Sequence, residues 1–169
     1  MSEFTLRAAT AAEVAEIWEL NQTEVPHVGD ITLAQMHSHF QNAARFTVVR
    51  TAPAATGVGK LAGFLLAFDE TASYQSPNYL WFKARYPDFV YVDRLAVAPE
   101  FRKSGIGRRL YADIEAFALP RTRRVTCEVN LRPSNETSLR FHRGIGFNEV
   151  GVQDTDGGEK TVSLLLKTL

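Results

Sequence analysis

The order of periodic segments predicts a mixed α/β fold, a central twisted sheet of about seven strands with helices on both faces. Three observations carry that class. Segments of strand character and segments of helical spacing follow one another as β-α-α-β-β-β-α-β-α-β-β. In the middle, FVYVDRLAVAPEFRKSGIGRRLYADIEAFA runs from a strand through a basic glycine turn into a helix. The 169 residues, 45% apolar and 22% charged, suit one compact domain spanning residues 1–169.

Taken in order, Phe4, Leu6 and Ala8 alternate with polar residues as a first strand does. Thr10 caps a helix, and Glu13 three residues later completes a capping box. Val14, Ile17, Trp18 and Val25 supply its apolar stripe, and Pro26 and Gly29 end it. Thr32 opens a second helix carrying Leu33, Met36 and Phe40. Its His37 and His39 lie two apart and share no face; even with His27 they lack helical ligand spacing, so no metal site is expected.

Residues 46–50 and 61–68 read as the second and third strands, joined by the turn-rich tip TAPAATGVG. Residues 69–88 then carry Tyr74, Tyr79, Trp81, Phe82 and Tyr86 among prolines and polar side chains. Two readings stand for them. A long aromatic connection can select an acceptor, with a ring such as Trp81 or Tyr79 holding it by cation–π attraction or stacking. Alternatively, a short helix near 78–84 packs these rings as a satellite core. Residues 124–131 alternate as a fifth strand, 135–143 form a short helix, and 148–153 and 160–167 close the sheet around the hairpin loop DTDGGEK.

The central stretch carries the chemistry. Val90, Tyr91, Val92, Leu95 and Val97 make the fourth strand, and Pro99 stops it because proline cannot donate to a ladder. Leu110, Ile114 and Phe117 recur at helical spacing beyond the turn. The first-turn N–H groups of such a helix lack intrahelical partners and carry the positive end of its dipole. Gly105 and Gly107 admit a phosphate close to the backbone, and Arg102, Lys103, Arg108 and Arg109 add charge. A pyrophosphate cradle is the functional reading; a basic turn that only caps a helix is the plain one. No Walker loop matches. A dinucleotide fingerprint fits poorly, since Leu110 occupies its third glycine position, although Glu128 stands about where a ribose-binding acid would.

Arg102-x-x-Gly105-x-Gly107 after Leu95-Ala96-Val97 resembles the acetyl-CoA motif of the GNAT superfamily of N-acetyltransferases. Leu131-Arg132-Pro133-Ser134-Asn135, followed by Ser138, Phe141, His142 and Gly146-Phe147, resembles the later motif of the same superfamily. The resemblance covers roughly residues 89–150 and implies a GNAT-like sheet splayed between strands four and five. It implies acetyl-CoA as donor, held by Leu95, Ala96 and Val97 along the pantetheine and by Arg102, Lys103, Ser104, Gly105, Ile106, Gly107 and Arg108 at the pyrophosphate. Asn135, Ser138 and Phe141 join that cofactor-binding set. Many relatives carry a tyrosine acid four residues before the Gly-Phe pair; here that residue is His142.

Histidine can protonate a thiolate, its pKa of ~6.5 lying below the ~8.5 of a thiol; packing beside Phe141 or bonding the cofactor is the alternative. Asp93 shares a strand face with Tyr91 and Leu95 and is the first candidate base, an ion pair to a nearby arginine being its alternative role; Glu128 is the second candidate, and a water chain serving an already partly neutral amine would need neither. Some relatives carry a glutamate where this chain has Asn130.

The expected activity is acetyl transfer to a primary amine of a small molecule or peptide by direct attack in a ternary complex. A catalytically silent acyl-CoA-binding module is the alternative. Nineteen basic residues balance nineteen acidic ones, which argues against nucleic acid or an anionic membrane as partner. A homodimer is compatible with the sequence. Cys127, the single cysteine, reads as a buried thiol within a strand. MSEFTLRAAT has neither a charged nor an apolar leader region, and no apolar run is long enough to span a bilayer, so a cytoplasmic location is expected.

Overall fold

The computed structural model describes residues 3–53 and 57–169. Its elements are β1 (Phe4–Ala8), α1 (Val14–Thr23), α2 (Leu33–Asn42), β2 (Arg45–Thr51), β3 (Leu61–Asp69) and α3 (Pro77–Lys83). There follow β4 (Val90–Val97), α4 (Ile106–Ala118), β5 (Arg124–Arg132), α5 (Glu136–Gly144), β6 (Asn148–Thr155) and β7 (Lys160–Thr168). The strands form one mixed sheet in the order β1-β2-β3-β4-β5-β7-β6. The chain divides into two compact units, Met1–Ala67 with Arg94–Ile114 and Phe68–Asp93 with Glu115–Leu169. Among the described residues no helix is long and apolar enough to cross a membrane.

In the first unit β1, β2 and β3 pair antiparallel, with a register shift at Val49/Arg50. The tip expected between β2 and β3 lies partly outside the described residues. Phe46 bridges Phe40 and Phe64 at 6.0 Å each, and Val14, Ile17 and Met36 bring the helices' apolar sides to zero exposure. Capping acts as the sequence indicates. The Thr32 hydroxyl accepts from the Gln35 N–H, and Gln35 accepts from the Thr32 N–H.

Glu13 accepts from the Thr10 N–H and hydroxyl, but residues Ala11–Glu13 form a 3₁₀ turn first, so α1 starts at Val14. Glu13 also takes Arg7 at 2.7 Å and the buried Arg50 at 2.6 Å. The hydrogen bond from Arg7, opposed in part by burial, holds its carboxyl well below the usual carboxylate range. Val25 does not extend the stripe of α1: it lies past the helix end and is 38% exposed. Gly63 on β3 must be glycine-sized, because a Cβ there would sit 2.8 Å from the Ala96 carbonyl oxygen and 3.1 Å from Ile106.

In the second unit β5, β7 and β6 pair antiparallel, with shifts at Asn130/Arg132 and Glu149/Gly151. The parallel ladder from β4 to β5 consists of Val90↔Val125 and Tyr91↔Thr126, and β4 runs on beyond it. Strands four and five are thus parallel neighbours in the sheet. Cys127 is buried, as its strand setting indicates.

Candidate active site

The site-bearing side chains of the first unit stand on the end of β4 and the turn that follows. Phe101 N–H donates to the Ala98 carbonyl at 2.9 Å, closing a turn over Pro99–Phe101 that Pro99 starts with its fixed φ. The backbone then takes left-handed conformations at Lys103, φ 63°, and at Gly105, φ 84°. Left-handed residues in such a turn angle successive N–H groups toward one concavity, the arrangement that binds anions. A Cβ at Gly105 would meet nothing within 4 Å, so the surface there is open. The first helical bond of α4 runs from Arg109 N–H to Gly105 O at 3.1 Å, which leaves the N–H groups before it facing the turn.

Arg102, Lys103, Ser104, Gly105 and Arg108 are exposed, Gly107 is half-buried, and Ile106 anchors the turn in the core at 1% exposure. On β4, Ala96 is buried while Leu95 and Val97 are half-exposed. Arg102 donates to Glu24 at 2.5 Å, a contact no local pattern in the sequence signals.

In the second unit the β4 and β5 residues form a carboxylate–tyrosine cluster. Tyr74 Oη donates to Asp93 Oδ1 at 2.7 Å, and Tyr91 Oη donates to Glu128 Oε2 at 2.7 Å. Asp93 thus takes a tyrosine hydroxyl. Tyr91 is fully buried; burial first, and then the negative charges of Glu128 and Asp93, push its hydroxyl well above the ordinary phenol range. It is a hydrogen-bond donor at every physiological pH. The two half-buried carboxylates therefore act on one phenol, which sets them in one neighbourhood.

Helix α5 supplies the rest. Asn135 caps it, its Oδ1 accepting from the Ser138 N–H at 3.2 Å, while its own N–H donates to Asn130 O at 3.1 Å. His142 lies one turn on from Ser138, 8% exposed, with its ring edge-on to Phe141 and Phe147 at 5.2 and 5.4 Å. Its Nδ1 is 2.7 Å from the Ser138 carbonyl oxygen and 3.2 Å from the Ser138 hydroxyl. A carbonyl only accepts, so Nδ1 carries the proton of the neutral ring and Nε2 is the nitrogen that gains a proton in the imidazolium. Burial lowers the His142 pKa from its ordinary value, and the Ser138 bond opposes that in part.

The connection over residues 69–88 sends two of its rings, Tyr79 and Phe82, into the core. Tyr79 and Phe82 on α3 have zero exposure. The Tyr79 hydroxyl donates to Asp69 O at 2.7 Å and Ala72 O at 3.1 Å, and burial pushes its pKa up to about 12. The expectation that Tyr79 holds an acceptor is thus corrected: its ring contacts Phe68, Tyr74, Phe89 and Tyr91. Trp81 carries Arg85 over its face at 3.9 Å, and its edge lies where a Cβ of Gly151 would be, at 2.5 Å. Tyr74 is the ring of this connection whose polar end reaches a candidate catalytic group.

Solved structures place this fold among N-acetyltransferases. The ribosomal-protein-S18-alanine N-acetyltransferase of Escherichia coli superposes with a TM-score of 0.67 at 15% identity, over 98% of this chain and 94% of that one. NAA60 of Arabidopsis thaliana, solved with a bisubstrate analogue, gives 0.75 at 15% identity over 98% of each chain. The same protein solved with acetyl-CoA gives 0.74 at 17% identity over 99% of this chain and 100% of that one. At those identities the likeness is one of fold.

The sequence pattern of the acetyltransferase (GNAT) family matches residues 12–147, most of the chain, and the chain belongs to that family. A 68-residue stretch is 37% identical to an uncharacterized protein of Mycobacterium leprae, and the match spans 40% of this chain and 18% of that curated relative.

Proposed function

We propose that this chain transfers an acetyl group from acetyl-CoA to a primary amine of a small molecule or peptide, by direct attack within a ternary complex. The observation that carries the reading is the turn before α4, where left-handed Lys103 and Gly105 open an exposed, basic backbone concavity at a helix start. Its residues fit a pyrophosphate: open space over Gly105 for close approach, and exposed cations at Arg102, Lys103 and Arg108. Leu95, Ala96 and Val97 supply backbone groups for an extended amide-bearing arm, and Ser104, Ile106 and Gly107 complete the turn. Asn135, Ser138 and Phe141 belong to the same cofactor-binding set, Asn135 and Ser138 through the start of α5.

When bound, acetyl-CoA supplies a thioester whose carbonyl an amine can attack. The chain's own groups then manage two protons. Asp93, oriented by the Tyr74 hydroxyl, takes one at its carboxylate from the bound ammonium and passes it to solvent, so that the neutral amine attacks; the proton the nitrogen sheds on amide formation also leaves to solvent. His142 delivers the other from Nε2 to the departing sulfur and is recharged from solvent. Its Nδ1–H bond to Ser138 holds the ring in place in both protonation states. The neighbouring Tyr91–Glu128 pair keeps a second negative charge beside the first, which favours a cationic acceptor.

The silent acyl-CoA-binding reading draws on one observation, the buried and largely neutral His142 where relatives carry a tyrosine. Release of free thiol from acetyl-CoA with a panel of small amines and N-terminal peptides separates the two. The proposal expects amine-dependent release, with Asp93→Asn and His142→Gln each lowering kcat by roughly 10²–10⁴ at unchanged CoA affinity. CoA binding without amine-dependent release for any acceptor would give the silent reading instead.

A further inference from the structure

Arg102 and Glu24 are 78 residues apart in sequence, and the structure joins them. Arg102 Nη2 lies 2.5 Å from Glu24 Oε1, with the arginine side chain 52% exposed and the glutamate side chain 15% exposed. Glu24 is the better fixed of the two. Its N–H donates to Asn21 O and its carbonyl accepts from Val28 N–H, both at 3.0 Å. The connection it opens is fastened again further along. Buried Arg94 donates to Asn21 Oδ1 at 2.9 Å and to Gly29 O at 3.1 Å, and Trp18 Nε1 donates to Ile31 O at 2.7 Å.

A guanidinium has five N–H donors, and this contact uses one, so the fork keeps donors for an anion while the glutamate holds it. Two effects oppose each other. The glutamate's negative charge weakens the pull of Arg102 on a phosphate. Its grip also removes rotamer freedom that a loose arginine would otherwise lose on binding. Water around the half-exposed guanidinium damps the attraction to a phosphate and the repulsion from Glu24 alike, whereas the rotamer freedom already lost is not damped, so orientation outweighs the charge.

We propose that Glu24 is a positioning residue for the pyrophosphate of acyl-CoA: it aims Arg102 at the turn and touches no ligand itself. The inference rests on the reading of that turn as the CoA site. Calorimetric titration of CoA into the wild type, Glu24→Gln, Arg102→Ala and the double variant tests it, with acetyl-CoA kinetics alongside. Glu24→Gln should weaken CoA by roughly three- to thirtyfold, the span of one charge-assisted contact. In the Arg102→Ala background it should cost nothing further. The KM for acetyl-CoA should rise in step while kcat holds. An unchanged or tighter Kd for Glu24→Gln would overturn the proposal. So would an additive loss in the double variant, which would make the role structural. A wild type that does not bind CoA would instead remove the reading of the turn beneath it.

Discussion

The basic turn at residues 102–109 and the aromatic connection at residues 69–88 answer opposite physical demands. The turn leaves backbone N–H groups and cations in water, and two left-handed residues hold its shape. The connection sends Tyr79 and Phe82 to zero exposure and satisfies the Tyr79 hydroxyl on two backbone carbonyls. A polar backbone left accessible costs little and is ready for an anion; a large ring left accessible forfeits burial worth about 1.5–3 kcal/mol. Binding capacity therefore concentrates where few apolar side chains compete for the interior. Tyr74 stands at the boundary, its ring stacked on Phe68 at 4.4 Å and its hydroxyl on Asp93.

The largest effect should come from the connection. Phe82→Ala removes a ring that lies within 6.3 Å of Trp81, Tyr86, Phe89 and Tyr91, and should cost about 3–5 kcal/mol in chemical denaturation. CoA affinity of the folded fraction should not change. A neutral Phe82→Ala that instead raised an acceptor KM would turn the connection back into an acceptor loop and erase the contrast.

A smaller effect lies at His142, whose pKa burial lowers. The folded state disfavours the imidazolium, so the stability from neutral His142 is full above the unfolded-state value of 6.5 and is lost as pH falls through the lower folded value. Denaturation midpoints of the wild type should fall on acidification through that window, and His142→Gln should fall less steeply. Parallel profiles would mean the ring titrates alike folded and unfolded.

The strand–turn–helix at the centre was legible because its signals are local: period-two apolar residues, Pro99, paired glycines and a run of cations. The capping box of Thr10 and Glu13 was legible for the same reason, its members being three residues apart, and Thr32 was legible as a helix start. The contacts that shape the candidate site were not. Tyr74 with Asp93, Tyr91 with Glu128 and Arg102 with Glu24 join positions distant in sequence, and no local spacing pairs them. The 69–88 connection was ambiguous because rings mark a binding loop and a satellite core equally; only burial separates them. Val25 failed differently: it keeps a helical spacing after the helix has ended at Thr23.

The turn before α4 carries the proposed CoA site, and Gly105→Val tests that most directly. The position has φ 84° and open space around it, so valine strains the backbone by about 1–3 kcal/mol without filling a packed core. Isothermal titration of CoA into wild type and variant, each verified as folded, gives the answer. The wild type should bind CoA measurably and the variant should lose at least roughly tenfold, the equivalent of about 1.4 kcal/mol. Equal affinities in the two folded proteins would contradict it.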